Sequence, residues 1–584
     1  MQKNWKIKEK GNLKTIGHLM QVLNVSEPVA TILTQRNINS YAEAKEFFRP
    51  SLKNLHDPFL MKNMGIAVSR ILQSIYDKEK IMIYGDYDVD GTSAVALVYD
   101  FLSQYTTEID FYIPDRYTEG YGVSYQGIDF AVENNYKLII TLDCGIKAVK
   151  EIKYGKEKGI DFIICDHHQP DNILPPAVAI LNPKQKYCNY PYKELSGCGI
   201  GFKLIQAIAK TKRISSGELE KYLDLTTLSI ASDIVPITGE NRILAYHGLN
   251  IINNNPCSGI EAILKTANIK RRPDSLIQVN YNFTKYLTIS DLVFSVGPRV
   301  NASGRVDNAK NSVQLLISKS FKEADKIAEK INIFNSERRS LDKQAFEEAL
   351  QMINSSKELQ NKKTTVLFSP NWHKGIIGIV ASRLIEYHYK PTVIFTQSDG
   401  ILTASARSIK DFDLYSAIEE CSDLLLHFGG HKYAAGFSLL PEKLKDFEEK
   451  FEKIASQTLT DAILTPKIEI DYEIDFKQIT QSFIKVLKQF APYGPDNMSP
   501  VFLTKNVYDT GFSRTVGENH LKLNITQPEF RGAGFDAVAF GFGHLFDKIH
   551  SQNRPFSICY TIEENEWNNK ITTQLNIKDI RIED

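Results

Sequence analysis

Short apolar runs alternate with amphipathic stretches from about residue 79 onward. KIMIYGD, IDFYIPD, KLIITLDCG and IDFIICDHH are apolar, mostly β-branched runs that stop at polar residues, and AVAILNP is a shorter candidate. TSAVALVYDFLSQY and KAVKEIKYGKEKG read as helices between them. Such strands, separated by helices, predict an α/β domain whose parallel sheet is covered on both faces.

The pattern then changes. Residues 318–361 carry apolar side chains at Ile327, Ile331, Phe334, Leu341, Leu350 and Ile353 against a dense charged face. That spacing predicts one long helix, which either connects two lobes or lies on the surface of the first. From 362 to 462 a smaller α/β unit follows, with KTTVLFS and KPTVIFT as strands and GIIGIVASRLIEYH as the helix between them. Over 463–584 the runs EIDYEIDF, LKLNI, FDAVAFGF, FSICYTIEEN and ITTQLNIKDIRI are short and alternating, which predicts a small antiparallel barrel. Residues 1–55 read as a mostly helical lead-in and 56–317 as the parallel-sheet domain. A chain of 584 residues is too long for one core, in keeping with this division.

Charge adds one constraint. Lys+Arg and Asp+Glu are both 70, so the protein is not coated in basic charge, and any basic groove must be local. The seven cysteines form no CxxC pair and are irregularly spaced, which argues against a disulfide framework or a zinc finger. MQKNWKIKEKGN has no apolar stretch behind its lysines, and no run is long enough to span a bilayer. The expectation is a cytoplasmic protein with no membrane partner.

Three of the predicted strands end on residues that carry chemistry. IMIY runs into Asp86, LIIT into Asp143, and FIIC into Asp166, His167 and His168. Sites in open α/β sheets lie beyond the carboxyl ends of strands, so these residues converge. YGDYDVDG crowds Asp86, Asp88 and Asp90 into one loop. Two carboxylates about 4 Å apart repel by roughly 4 kcal/mol at an effective dielectric near 20, so a cation is expected there. A solvated turn or a calcium-type loop could also read DxDxD. A turn leaves the other two acidic strand ends unexplained, and the calcium loop's later glutamate is replaced by Thr-Ser-Ala. Asp86, Asp88, Asp90, Asp143, His167 and Asp233 offer oxygen donors and an imidazole, a set that suits Mg²⁺ or Mn²⁺. Two such ions about 3.5–4 Å apart activate a water and stabilise both oxygens of an in-line phosphoryl displacement. GCGIGFK lacks the GK[ST] ending of a nucleotide loop and reads as the packed start of a helix, so ATP and NAD are rejected. Cys144 and Cys165 read as small buried residues.

GDYDVDGTSA, TLDCG, CDHHQP and ASDIVP resemble the four motifs of the DHH phosphoesterases, and WHKGIIGIVASRL and GGHKYAAGF resemble their associated second domain. From about 55 to 584 the chain is similar to the bacterial single-strand-specific exonucleases of that family, including their C-terminal oligonucleotide-binding (OB-like) barrel. The resemblance implies a parallel-sheet domain and a smaller α/β domain joined by a long helix. It also implies a 5′-to-3′ exonuclease that releases mononucleotides from single-stranded DNA in repair and recombination, its two lobes clamping the strand. Asp86, Asp88, Asp90, Asp143, His167 and Asp233 would then hold two divalent cations, Mn²⁺ or Mg²⁺, with the division among the loop aspartates left open. His168 would sit nearer the scissile phosphate, with Asp166 orienting the histidines. Arg116, Ser405 and Arg407 would hold a terminal 5′-phosphate, the alternative for Arg116 being a surface salt bridge. Arg299, Asn301 and Arg305 lie in a segment, GPRVNASGRVDNA, expected beside the active site. Gly429, Gly430 and His431 either let backbone amides approach the DNA or make a tight turn. A helicase and a single-strand-binding protein are partners by family analogy, and the chain is expected to act as a monomer. Two rivals stand against this: a phosphodiesterase for short oligoribonucleotides or cyclic dinucleotides, and a non-catalytic DNA-binding scaffold.

Overall fold

Alternation along the strands sorts their side chains between two cores. The computed structural model describes residues 3–273, 281–306, 308–398, 400–551, 554–567 and 570–582. Lys80–Gly85, Ile109–Tyr112, Tyr136–Leu142, Asp161–Cys165 and Ala179–Leu181 form a five-stranded parallel sheet in the spatial order second, first, third, fourth, fifth. Ile81, Ile83, Leu138 and Ile140 share one core with Ile71, Val95 and Ile200. Their sheet neighbours Met82, Tyr84, Ile139 and Ile164 point to the other side, against Ile128 and Ile152. A sheet in this order reverses its winding between the first and third strands, which opens a crevice beyond their C-terminal ends.

By internal packing the chain divides into two compact units, Ile7–Asn332 with Ile470–Asp584, and Met1–Lys6 with Ile333–Glu469. The expected long helix is a single element, Phe321–Ser355, and it passes from one unit into the other. The smaller unit holds a five-stranded sheet ordered His427–His431, Ala434–Leu439, Ile401–Arg407, Thr392–Ser398, Thr365–Phe368. Only its last pair is parallel.

In the larger unit the C-terminal strands Phe502–Asp509, Phe556–Trp567, Lys570–Ile582, Phe535–Phe540 and His520–Thr526 close into a ring. One pairing, Phe535–Phe540 with Lys570–Ile582, is parallel, where the alternating pattern predicts an antiparallel barrel. Alternation reports which face a residue takes, not the direction of its neighbour. Residues near the N-terminus pack into this barrel: Ile16, Leu19, Val29 and Leu33 share a core with Phe476, Phe483, Phe490 and Phe502.

Two buried cations tie the larger unit together. The Arg242 guanidinium donates to the carbonyls of Phe47, Gln489, Phe490, Ala491 and Pro492 and lies 3.8 Å over the Phe47 ring. It thereby fastens the helix Gly239–Asn254 to the barrel side, and burial pulls its pKa down to about 10. Lys203, from GCGIGFK, is fully buried and pairs with buried Glu240 at 3.0 Å. Gly197 does begin a helix, Gly197–Lys212, as the sequence predicts. No helix among the described residues is long and apolar enough to cross a membrane.

Candidate active site

The first strand ends at Gly85, and the chain turns at once into the helix Val89–Leu102. Asp88 caps that helix by accepting the Gly91 N–H at 3.0 Å. Gly91 is required there, because a Cβ would fall 2.5 Å from the Asp86 carbonyl oxygen. Asp90 points inward from the first turn. Its carboxylate accepts the N–H groups of Gly197 and Cys198 and the Ser229 hydroxyl, each at 2.7 Å. So Asp90 binds the start of the helix Gly197–Lys212, where backbone N–H groups and the helix dipole favour a negative charge.

Asp143 follows the third strand at φ 60°, in the left-handed region. Its N–H is bonded to the Cys165 carbonyl, which pins the strand end. From the fourth strand, Asp166 accepts the Ile146 N–H at 2.9 Å, the His168 N–H at 3.0 Å and His168 Nδ1 at 2.7 Å. His167 Nε2 lies 3.2 Å from Asp143 Oδ1, 3.4 Å from Asp233 Oδ2 and 3.9 Å from Asp90 Oδ2. Asp233 follows the helix Leu223–Ser232, and the next residue, Ile234, is also left-handed at φ 58°.

Among the described residues, three buried atoms at this point make close contacts but no properly oriented hydrogen bond: Asp86 Oδ2, Asp143 Oδ1 and His167 Nε2. A buried polar atom left unpaired costs about 1–3 kcal/mol, and more when charged, so the arrangement calls for a cation. Burial, reinforced by neighbouring aspartates, pushes the carboxyl groups of Asp86, Asp88, Asp143 and Asp233 above the usual carboxylate range. Burial lowers the pKa of His167 and so favours the neutral imidazole, which is the ligand form. Donor atoms of Asp143, His167 and His168, and of Asp90, His167 and Asp233, each lie within 4.8 Å of one another. Hard oxygens with one imidazole fit Mn²⁺ or Mg²⁺, and the residues present therefore fit a divalent-cation centre. Cys144 and Cys165 are buried and add no exposed thiol.

The acidic cluster makes stability depend on metal and pH together. A carboxyl whose folded pKa is raised contributes stability below its unfolded pKa and loses that contribution as pH rises through the folded value. Metal-free protein should thus lose stability as pH rises above the ordinary carboxylate range, a loss to be read at about pH 5 and about pH 8, and bound Mn²⁺ should restore it. At a concentration near 100 times Kd the ion adds about 2.7 kcal/mol. Thermal unfolding with Mn²⁺ and with chelator at both pH values should give the larger metal-induced shift at the higher pH. Equal shifts would contradict this reading of the cluster.

Gly197 supplies a second check. A Cβ there would lie 2.6 Å from Asp143 Cβ and 2.7 Å from its Oδ1. Gly197→Ala should push Asp143 off position and lower Mn²⁺ affinity about 10–100-fold, measured by calorimetric titration.

The remaining sequence-predicted residues fall in two places. Arg116 lies 4.8 Å over the Tyr87 ring and forms no ion pair among the described residues, so the surface salt bridge is not what holds it. Arg299, Asn301 and Arg305 share the helix Gly297–Val306, where Arg299 donates to the Ser295 carbonyl and the Arg305 carbonyl accepts the Tyr117 hydroxyl. In the other unit, Ser405 and Arg407 alternate along one strand, and Arg407 Nη1 donates to Ser405 Oγ at 3.1 Å. Gly378, in the first turn of the helix Ile377–Tyr387, faces them: a Cβ would sit 2.8 Å from Ser405 Oγ and 2.9 Å from Arg407 Nη2. Strand register aligns Ser405, Gly436 and Gly429 in one row and Arg407, Ala434 and His431 in another. Gly429, Gly430 and His431 lie on the exposed edge strand rather than in a tight turn, and a Cβ on Gly430 would meet the Ala434 carbonyl at 2.3 Å. Sequence reading missed Gly378, although it stands in the quoted run GIIGIVASRL.

Family profiles match three stretches: the DHH family N-terminal domain over 80–230, the DHHA1 domain over 361–457 and the RecJ OB domain over 470–579. The single-stranded-DNA-specific exonuclease RecJ of Bacillus subtilis is 35% identical over 583 residues, covering 99% of this chain and 71% of that protein. The chain belongs to the RecJ family. RecJ of Escherichia coli is 31% identical, with 88% of this chain and 89% of that one covered. The crystal structure of RecJ in complex with Mn²⁺ from Thermus thermophilus shares the fold, with a TM-score of 0.82 at 23% identity, covering 99% of this chain and 79% of that one. The RecJ family assignment agrees with the parallel-sheet domain, the smaller α/β domain and the closed barrel described above.

Proposed function

We propose that the chain is a metal-dependent 5′-to-3′ exonuclease that hydrolyses single-stranded DNA to 5′-mononucleotides in DNA repair and recombination. The observation that carries this reading is the convergence of Asp86 Oδ2, Asp143 Oδ1 and His167 Nε2, buried and unpaired, at the strand ends. They do so in a chain whose relatives, matched over 88–99% of its length, are exonucleases specific for single strands.

Asp86, Asp88, Asp90, Asp143, His167 and Asp233 would hold two divalent cations, Mn²⁺ or Mg²⁺. When bound, such a pair supplies an activated water and charge stabilisation for phosphoryl displacement. Asp90 also anchors the helix at Gly197, so its carboxylate fixes the wall of the site. Asp166 holds Nδ1 of His168, and would so aim the ring at the scissile phosphate. Arg116, stacked on Tyr87, and Arg299, Asn301 and Arg305 are assigned to the strand's phosphates. Ser405 and Arg407, with Gly378 leaving room at a helix start, suit the terminal 5′-phosphate. Gly429, Gly430 and His431 extend that surface. The barrel would hold the trailing strand. We assign a helicase and a single-strand-binding protein as working partners, a monomeric state and a cytoplasmic location.

A substrate panel tests the reading. Purified protein with Mn²⁺ or Mg²⁺ should digest a 5′-phosphorylated single DNA strand and spare a blunt duplex and an RNA of the same sequence. Cutting confined to very short RNA or dinucleotides would overturn the substrate assignment.

A further inference from the structure

Tyr121 touches two groups at the centre of the site. Its hydroxyl lies 3.3 Å from the Asp143 carbonyl oxygen and 3.3 Å from Nε2 of His168, within hydrogen-bond reach of both. On the far side of that ring, Nδ1 lies 2.7 Å from Asp166 Oδ1. An ionised carboxylate only accepts, so Nδ1 carries a proton and donates it to Asp166. Tyr121 Oη bonds Nε2 whichever group carries the proton: a neutral ring accepts the phenol O–H at Nε2, and a ring protonated at Nε2 donates to Oη while the phenol O–H goes to the Asp143 carbonyl. His168 is therefore held at both nitrogens, by a carboxylate on one side and a phenol on the other. The same phenol braces the backbone of Asp143, which sits at φ 60°.

The hydroxyl is delivered by a loop built for the purpose. Glu119 accepts from the Tyr112 hydroxyl, the Asp115 N–H and the Ser124 hydroxyl. Asp115 Oδ1 accepts the N–H groups of Tyr117 and Thr118. Gly120 and Gly122, at φ 88° and 83°, flank Tyr121, and the Gly122 N–H reaches Asp86 Oδ1 at 3.3 Å. The Tyr121 ring meets Tyr87 and His168 edge-on, with centroids 6.0 Å away in each case. Tyr121 as a residue is also 54% exposed, which makes base stacking the competing explanation for an aromatic side chain here.

We propose that Tyr121 is a positioning residue whose hydroxyl, bridging the Asp143 carbonyl and His168 Nε2, holds His168 in the orientation from which it meets the scissile phosphate. The proposal rests on the exonuclease reading. Hydroxyl and ring can be separated by substitution, since Tyr121→Phe removes only the hydroxyl and Tyr121→Leu removes both.

The test compares wild type, Tyr121→Phe and Tyr121→Leu on a 5′-phosphorylated single strand with Mn²⁺. It also measures affinity for that strand in chelator by fluorescence anisotropy, and Mn²⁺ binding by calorimetry. Tyr121→Phe should lose about tenfold in kcat, the worth of one hydrogen bond that orients His168 for the reaction, with KM and strand affinity within about twofold of wild type. Tyr121→Leu should lose at least as much in kcat. Unchanged kcat in Tyr121→Phe, with KM raised only in Tyr121→Leu, would overturn the proposal in favour of stacking. A kcat loss in Tyr121→Phe that follows a matching loss of Mn²⁺ affinity would also overturn it, because the hydroxyl would then be serving Asp143 alone. Wild type that leaves the strand intact would defeat the exonuclease reading itself and this proposal with it, an outcome distinct from an active wild type matched by an equally active Tyr121→Phe.

Discussion

Asp143→Asn is expected to slow digestion of single-stranded DNA by about 10³-fold or more, equivalent to roughly 4 kcal/mol of lost transition-state stabilisation. Asparagine is the informative replacement, because Asp143 stands at φ 60°, a conformation that asparagine tolerates and alanine does not. The substitution takes the charge from one of three unpaired buried metal-facing atoms while keeping the strand-end geometry. It also carries a signature that simple damage would not. The repulsion that raises the Asp143 pKa comes, after burial, from Asp90, Asp88 and Asp233. Removing one charge from that cluster should leave the metal-free protein at least as stable as its parent near pH 8, while Mn²⁺ no longer produces the full stabilising shift. Inactive protein with a lowered melting temperature in chelator would point instead to a structural role for Asp143.

Glu240→Ala is expected to destabilise the larger unit by about 3–5 kcal/mol, the usual result of leaving a buried charge without its partner. Lys203 is wholly buried, and burial already lowers its pKa against the pull of Glu240. Glu240 also accepts the His56 N–H at 2.9 Å and the Tyr190 hydroxyl at 2.6 Å, and Lys203 donates to the His56 carbonyl at 2.7 Å. The truncation thus strands an ammonium, an amide and a phenol together. Against a typical total of about 5–15 kcal/mol, that loss is large. The double substitution Lys203→Met with Glu240→Leu should recover much of it, because neither charge is then buried. Urea unfolding of the three variants gives the comparison, and a Glu240→Ala loss under about 1 kcal/mol would mean that the pair is hydrated in solution.

What the sequence reveals of this fold follows from local physics. Ile81, Met82 and Ile83, with Leu138, Ile139 and Ile140, announce a two-sided parallel sheet, because consecutive residues of a strand buried on both faces must all be apolar. Aspartates at consecutive strand ends announce the crevice, because parallel strands bring their C-terminal ends to one edge. The details that finish the site are not local. Asp90 reads as one more metal ligand in the loop, yet its carboxylate caps a helix that begins 107 residues later. Gly197 reads as helix-start packing, and only the folded chain reveals that Asp143 occupies the space of its missing side chain. The sharing of one core by Leu19, Leu33 and Phe490 depends on contacts more than 450 residues apart, for which no periodicity exists. Arg242 similarly looks like a surface residue of an amphipathic helix until its five carbonyl acceptors are in place.

Following one strand from a known end decides whether the protein is a metal-dependent exonuclease. A 5′-phosphorylated single DNA strand labelled at its 3′ end would be incubated with the protein in Mn²⁺, Mg²⁺ or chelator. A metal-dependent enzyme acting from the 5′ end should give a descending ladder of 3′-labelled fragments with either ion and an intact strand in chelator. Immediate release of labelled mononucleotide, or digestion that persists in chelator, would contradict a metal-dependent attack from the 5′ end.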